Sequence, residues 1–203
     1  MINLQPEQLR AIKAYVHSST DSLTQDEKII ERVINPSMFT YNLNVHLRSG
    51  RSLANEVNDF AQRLDKAFTD VSTDDDLTLY RTFNYKEMEA NIIDETYKDY
   101  GYMSTTSDTE VANSFFYRIE SNYFPAFLEL IFPKGCSILP LENIVDFDNH
   151  TYEAESLVKR NSEWEVISNK IVPAKPTMNL ATWHFCKQPK EIRLLKLRFN
   201  QYF

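Results

Sequence analysis

The sequence predicts an α+β protein in which helices come first and strands follow. In residues 1–72, apolar side chains recur at spacings of three and four, the pattern of helices that bury one face. After the acidic turn Ser72–Asp76, short β-prone runs replace this pattern. The chain has only three glycines, no Gly-rich phosphate loop and no repeat, so neither a P-loop nor a Rossmann dinucleotide fold is indicated.

Three helices are predicted in this first part of the chain. The first covers Gln8–Tyr15. The second starts at a capping-box pattern, Thr24 with Glu27, and ends before Pro36. The third begins near Ser52 and is the clearest, because its apolar residues fall on one stripe. These residues are Leu53, Val57, Phe60, Leu64 and Phe68.

The remainder of the chain is predicted to consist mainly of strands, with two helical segments among them. A strand over Leu77–Phe83 precedes a helical segment over about Tyr85–Tyr97. A strand over Tyr102–Thr106 precedes a short helix that Asp108 caps. Further strands are predicted over Ala126–Phe132, Cys136–Leu139, Ser156–Val158, Trp164–Ile167 and Glu191–Phe199.

Composition and charge narrow the class of protein. A net charge of -7 argues against binding to nucleic acid through phosphate contacts. Cys136 and Cys186 have neither metal-ligand nor disulfide spacing, and the four histidines are scattered, so no metal is expected. No apolar stretch approaches the ~20 residues of a membrane span, and no signal peptide is recognised. We expect a soluble, monomeric, single-domain protein, with a helical lobe (1–72) and a β-rich core (73–203).

Three short segments combine residue types that carry chemistry. Arg81 lies in the first predicted strand, where a buried guanidinium needs an anionic partner. The segment Ser104–Thr106 places three hydroxyl groups at the end of the next strand. Glu153 and Glu155 flank Ala154 at a predicted loop-to-strand junction, and period-two spacing in an extended chain sends both carboxylates to the same side. Carboxylates held together repel each other, which suggests a function in proton handling.

In this order, the three segments resemble the Arg, Ser-Thr-Ser and Glu-x-Glu motifs of the R-S-E class of mono-ADP-ribosyltransferases. That class includes arginine-modifying bacterial toxins and phage-encoded transferases. The likeness extends over roughly residues 77–167. It implies two small antiparallel β-sheets that form a cleft for NAD. It also implies transfer of ADP-ribose from NAD to a side chain of a target protein, typically an arginine, with release of nicotinamide.

The resemblance implies a role for each matching residue. Arg81 would hold a phosphate of NAD, and Ser104 would orient the catalytic glutamate. Glu155 would stabilise the ribosyl cation, while Glu153 would activate the acceptor arginine. The other matching residues would contact NAD; they are Thr105, Thr106, Phe115 and Arg118.

Two positions depart from the family pattern. Thr82 stands where a glycine usually follows the arginine, and Thr106 stands where the third residue of the Ser-Thr-Ser motif is commonly serine. Because Thr106 retains a hydroxyl group, its role should persist.

Structural alternatives exist for several of these residues. Arg81 could belong to an ion pair or lie at the surface on an edge strand. Phe115 could belong to the apolar face of its helix, and Arg118 could be a solvated cation at a helix end. A second Glu-x-Glu, formed by Glu163 and Glu165, could be the catalytic pair instead. We prefer the first pair because a strand, a basic turn and an alternating strand follow it, which makes the second pair outward-facing.

The expected partners are NAD and a target protein in the cytoplasm of a host cell, reached as a phage-encoded enzyme or a secreted effector. Residues 143–151 would recognise that target, with Phe147 and Tyr152 either contacting it or fixing the loop to the core. Two other functions are compatible with the same motifs. One is an NAD glycohydrolase that passes ADP-ribose to water, and the other is a non-catalytic module that binds a host protein.

Overall fold

The computed structural model describes residues 1–49, 52–114, 124–147, 154–173 and 191–203. Helices form the first part of the chain, as predicted. They are α1 (Pro6–Val16), a 3₁₀-helix (Glu27–Arg32), α2 (Phe39–Arg48) and α3 (Asn55–Lys66). Within the described ranges, no helix is long and apolar enough to cross a membrane.

The later part of the described chain is mainly strands, so the predicted α+β class is confirmed. Two short helices, α4 (Tyr85–Glu89) and α5 (Thr109–Ser114), lie between them, and a 3₁₀ turn covers Leu141–Asn143. The strands are β1 (Leu77–Asn84), β2 (Ile92–Ile93), β3 (Thr96–Asp99), β4 (Met103–Thr106), β5 (Pro125–Phe132), β6 (Ile138–Pro140), β7 (Glu155–Val158), β8 (Ser162–Pro173) and β9 (Glu191–Tyr202). They pair in the order β2-β3-β8-β9-β5-β1-β4-β7-β6.

The nine strands form one sheet made of two groups of strands, and not two separate sheets. The group β4-β7-β6 joins the other six strands through a single residue pair between β1 and β4, Tyr80 with Thr106. The pairing of β5 with β9 is parallel, which corrects the expectation of antiparallel sheets only. Side-chain alternation along one strand is the same for both pairings, so local sequence does not reveal the direction of a neighbouring strand.

Two hydrophobic clusters lie on different parts of the fold. One is centred on the helices, and it includes Tyr102, Leu139 and Leu157 from the strand region. The other consists mainly of strand residues around Trp164, whose ring packs edge-on against Phe132 at a centroid distance of 5.0 Å. Because Leu139 of β6, Leu157 of β7 and Tyr102, directly before β4, belong to the helical cluster, the helical lobe packs against this group of strands.

The predicted helix over Tyr85–Tyr97 is wrong beyond Glu89. The chain instead forms the hairpin β2–β3, whose turn residues Asp94 and Glu95 have φ angles of 48° and 61°. Positive φ at two successive turn residues matches the right-handed twist of a tight hairpin. The β-branched residues on either side of the turn favour strands, and this preference outweighs the helical spacing of the segment.

No helix is predicted where α2 forms. The second predicted helix is present, but it is a 3₁₀-helix. The residue before α2, Met38, has a left-handed backbone conformation, and the helix buries the polar Asn44 among its apolar residues. Both features obscure the amphipathic pattern. The capping box is confirmed: the Thr24 amide donates to the Glu27 carboxylate at 2.8 Å, and the Glu27 amide lies 3.4 Å from the Thr24 hydroxyl.

Candidate active site

A cavity of about 120 Å³ lies where β1 and β4 separate. Its lining comes from β1, β4, α5 and the first residue of β7, and it includes described residues of all three predicted motifs. The lining residues are Tyr80, Arg81, Thr82, Ser104, Thr105, Thr106, Val111, Ala112 and Glu155. The fold therefore brings together Arg81, Ser104 and Glu155, which are far apart in the sequence.

Because β1 separates from β4, a backbone carbonyl of β4 is available to accept a hydrogen bond from Arg81. If the register of Tyr80 with Thr106 continued, Thr82 would pair with Ser104. The pairing stops, and the carbonyl of Ser104 instead accepts a hydrogen bond from Nη1 of Arg81 at 2.7 Å. The guanidinium thus occupies the point at which the cleft opens.

The Arg81 guanidinium is half-buried and still has hydrogen-bonding capacity. Its Nε is buried without a hydrogen-bond partner among the residues that the structure describes. Burial lowers the pKa of Arg81, and the neighbouring charge of Arg48 acts in the same direction, but arginine remains cationic. A buried cation with a spare donor on a cavity wall is suited to an anionic group such as a phosphate.

Glu155 presents its carboxylate to the same cavity. It begins β7, pairs with Thr106 of β4 and is 8% exposed. The Oγ of Ser104 donates a hydrogen bond to its Oε1. The carboxylate is therefore held in a fixed position in a cavity that also contains a cation, and it can stabilise positive charge that develops there.

The three threonines that line the cavity use their hydroxyls within the protein. Thr105 donates to the Ser156 carbonyl at 2.7 Å and ties β4 to β7, while Thr106 accepts from the Asp108 amide at 3.0 Å. Thr82 donates to the Ala112 carbonyl at 2.6 Å and so holds α5 against β1. A glycine at position 82 could not make this contact, which gives the departure from the family pattern a structural purpose.

Several predicted site residues lie outside the described residues: Glu153, Phe115, Arg118 and Tyr152. Ala154 has a φ of 42°, so the extended backbone expected through the glutamate pair begins only at Glu155. Phe147 stacks against His17 at a ring-centroid distance of 6.1 Å and packs on the helical cluster. This contact corresponds to the loop-fixing alternative for Phe147.

The alternative pair, Glu163 and Glu165, lies on β8, between β3 and β9, and does not line the cavity. Glu163 forms an ion pair with Lys98 at 3.2 Å, and Glu165 forms one with Arg198 at 3.1 Å. Interaction with Lys98 lowers the pKa of Glu163, as expected for a surface ion pair. Both carboxylates thus have the outward positions expected for them.

Sequence reasoning misses the residues directly behind the site. Arg48, the last residue of α2, forms two hydrogen bonds to the buried carboxylate of Asp99, at 2.7 and 2.9 Å. The guanidinium carbons of Arg48 and Arg81 each lie 5.1 Å from the centre of the Phe83 ring. The polar Asn44 on the buried face of a helix is a signal that could reveal this network, because such a group needs a partner.

A comparison with protein families gives a match to the ADP-ribosyltransferase exoenzyme family over residues 2–184. The chain belongs to this family. The family match therefore extends beyond the three motifs and covers nearly the whole chain. This ADP-ribosyltransferase transfers ADP-ribose from NAD, and the family relationship makes it toxin-like.

Solved structures of bacterial toxins share the fold. Plx2a of Paenibacillus larvae matches with a TM-score of 0.54 and 16% identity, over 99% of this chain and 100% of that one. Component C2-I of the Clostridium botulinum C2 toxin matches with a TM-score of 0.63 and 15% identity, over 98% of this chain but 44% of C2-I. Exoenzyme S of Pseudomonas aeruginosa, in a complex with human 14-3-3 protein beta and carba-NAD, matches with a TM-score of 0.57 and 13% identity, over 95% of this chain and 88% of that one. No curated protein sequence is significantly similar to the chain.

Proposed function

We propose that this ADP-ribosyltransferase cleaves NAD in the cavity between β1 and β4, with Glu155 as the catalytic glutamate and an arginine of a target protein as the acceptor. One observation carries the proposal. Ser104 binds a cation and a carboxylate at once: its carbonyl accepts from Arg81, and its hydroxyl donates to Glu155. A fixed cation and a fixed carboxylate are the two charges needed to hold a diphosphate and to stabilise a positively charged ribose.

In this mechanism, Arg81 binds the diphosphate of NAD through the guanidinium donors that its bond to the Ser104 carbonyl leaves available. Arg118 would add a second cation, and Phe115 would lie against the nicotinamide ring, as the family resemblance implies. The bond between the ribose C1′ and the nicotinamide nitrogen breaks, and its electron pair leaves with nicotinamide. Glu155 stabilises the resulting oxocarbenium-like ribose, an interaction that is strongest in the transition state.

The acceptor then completes the reaction. A guanidinium nitrogen of the target arginine forms a bond to C1′ and gives up a proton, which Glu153 accepts. Such help is needed because arginine is protonated at physiological pH. Support for arginine comes from the glutamate at the first position of the Glu-x-Glu motif and from the net charge of -7, which favours encounters with basic surfaces.

The setting of the reaction is part of the proposal. We infer that the enzyme acts as a monomer on a protein in a host cell, after delivery as an effector or production by a phage. The toxin-like family supports a host target.

The test is incubation of the protein with labelled NAD and a host-cell lysate, followed by mass spectrometry of the labelled protein. We expect label on an arginine. Label on another residue type would refute the arginine proposal, and nicotinamide release with all label left off protein would favour the NAD glycohydrolase.

A pair of variants tests the assignment of the glutamate. Glu155→Gln should reduce nicotinamide release by about a hundredfold or more, the usual size of the effect when a group that stabilises transition-state charge is lost. Glu165→Gln is the matched control, because it removes a carboxylate of the rival pair, and it should keep the full rate. The reverse result would transfer the catalytic role to the second pair.

A further inference from the structure

We propose that the helical lobe positions the active site: Tyr15, Asn44 and Arg48 hold the segment leading into β4, and thereby set where Ser104 meets Arg81 and Glu155. The inference rests on the proposed function of the cavity. It assigns Tyr15, Asn44, Arg48 and Asp99 as positioning residues, which act through Ser104 and Arg81 and are separate from the groups that contact NAD.

The first part of this arrangement is a buried ion pair. Nε and Nη2 of Arg48 donate to the two carboxylate oxygens of Asp99, whose side chain is 1% exposed. The same carboxylate accepts from the Tyr97 hydroxyl at 3.0 Å and from the Gly101 amide at 2.8 Å. Asp99 thus joins the end of helix α2 to the turn between β3 and β4. A buried pair whose lone pairs are satisfied in this way defines one geometry.

The second part holds the backbone of Tyr102 on both sides. Its amide donates to Oδ1 of Asn44 at 2.9 Å, and its carbonyl accepts from the Tyr15 hydroxyl at 3.0 Å. Asn44 closes the arrangement by donating to the Tyr15 hydroxyl at 2.9 Å. Both backbone groups of this residue therefore bond to side chains of helices α1 and α2. The position of Tyr102 is set by the lobe.

The side chain of Tyr102 is an anchor in the same lobe. It is fully buried, and its hydroxyl lies 2.8 Å from the Ala61 carbonyl and 2.7 Å from Oδ1 of Asp65. Asp65 in turn binds Arg160, which lies between β7 and β8. The lobe therefore contacts the chain directly before β4, which carries Ser104, and again after β7, which carries Glu155.

Close packing at Gly101 shows how tightly the segment is held. A Cβ at this position would lie 2.7 Å from Oδ1 of Asn44 and 2.9 Å from Nε and Cζ of Arg48. The turn is therefore pressed against the two side chains that bind it. A shift of α2 would be transmitted to the turn without slack.

Ser104 lies in β4, two residues beyond Tyr102, so its carbonyl and hydroxyl move with this segment. A second connection runs from Arg48 to Arg81 by way of Phe83. The centre of its ring lies 5.1 Å from both guanidinium carbons. Displacement of the lobe would change the directions of two hydrogen bonds in the cavity. A misplacement of about 1 Å can cost an enzyme about a hundredfold in rate.

Arg48→Lys tests the proposal, since it keeps the charge but loses the two-pronged bond to Asp99. Arg10→Lys is the matched control: Arg10 also forms two hydrogen bonds, both of 2.8 Å, to a carboxylate within the helical lobe, that of Glu27. We expect Arg48→Lys to reduce kcat for nicotinamide release by about tenfold or more at a temperature at which both variants are folded, and Arg10→Lys to keep the rate. Equal rates in both would overturn the proposal.

A double-mutant cycle then separates positioning from general stability. If Arg48 acts through Ser104, Arg48→Lys should reduce kcat of the Ser104→Ala enzyme by less than twofold. Multiplicative losses in the double variant would show an independent effect and would contradict the proposed route. Failure of the unsubstituted chain to release nicotinamide would instead overturn the proposed function, and the positioning role with it.

Tyr15→Phe is a second variant for the case in which Arg48→Lys does not fold. It removes a single hydroxyl, the one that donates to the Tyr102 carbonyl. We expect a severalfold reduction in kcat and retention of the fold. Tyr202→Phe is its control, because Tyr202 also donates to a backbone carbonyl, that of Ser137 at 2.7 Å. The same kcat for both tyrosine variants would contradict the positioning role.

Discussion

Ser104 donates a hydrogen bond from its Oγ to Oε1 of Glu155, across the antiparallel pair β4–β7. Ser104 also accepts a hydrogen bond from Arg81 through its carbonyl. One residue therefore aligns the carboxylate that would face the ribose with the cation that would face the diphosphate.

Removal of the Ser104 hydroxyl should affect the rate more than NAD affinity. Hydrogen bonds to charged groups contribute about 1.5–3 kcal/mol, so Ser104→Ala should lower kcat about tenfold to a hundredfold. Steady-state nicotinamide release at several NAD concentrations measures this. Ser137→Ala is the control: the Ser137 hydroxyl donates a hydrogen bond to the Phe68 carbonyl at 2.6 Å, and Ser137 does not line the cavity. Equal kcat values in both variants would contradict the role of Ser104.

Replacement of Arg81 should mainly weaken NAD binding. Arg81→Lys retains a positive charge but loses the planar set of donors that suits phosphate oxygens. We expect the Kd for NAD, measured by calorimetry, to rise by about tenfold or more. Arg198→Lys alters an exposed ion pair with Glu165 and should leave the Kd unchanged. An unchanged Kd for Arg81→Lys would exclude Arg81 as a main phosphate ligand.

The ion pair between Glu27 and Arg10 should make stability depend on pH. Hydrogen bonds from Arg10 lower the pKa of Glu27 to about 2. Because the folded pKa lies below the unfolded value of about 4.3, this stabilisation is complete above that value and is lost as the pH falls towards 2.

Glu27→Gln should therefore lower the free energy of unfolding at neutral pH by about 1–3 kcal/mol, a range that allows for the partial exposure of Arg10. It should also flatten the pH dependence between about pH 5 and 2, as measured by denaturant titration at each pH. Glu165→Gln, which removes a pair exposed on both sides, should change the unfolding free energy by less than about 1 kcal/mol. A pH profile of Glu27→Gln identical to that of the unsubstituted chain would rule out this ion pair as its origin.

Gly101→Ala should reduce both stability and activity. The added Cβ meets Asn44 and Arg48 at less than 3 Å, and overpacking of this kind costs about 1–3 kcal/mol. Gly135→Ala provides a contrast, because nothing lies within 4 Å of its Cβ but its φ of 90° strains any side chain. Both variants should lower the melting temperature, and only Gly101→Ala should slow nicotinamide release. Full activity in Gly101→Ala would show that the turn tolerates displacement.

Short motifs were sufficient to predict much of the candidate site. Arg81, Ser104 and Glu155 occur along the chain in the order of the three family motifs, and Glu155 lies where a strand is predicted to begin. Their convergence on one cavity required the pairing of β4 with both β1 and β7, which involves residues 51 positions apart in the case of Ser104 and Glu155. Glu163 and Glu165 share the same local spacing, so their sequence alone could not exclude them.

The order of helices before strands, the buried stripe of α3 and the three polar motifs can be predicted from the sequence, since each depends on local periodicity or on a few neighbouring residues. The parallel pairing of β5 with β9, the turn of the β2–β3 hairpin and the bonds of Arg48 and Asn44 to the segment before β4 became visible only in the folded chain. These features depend on contacts between distant segments. The free energy of such contacts is absent from any local window, and it can outweigh local propensity.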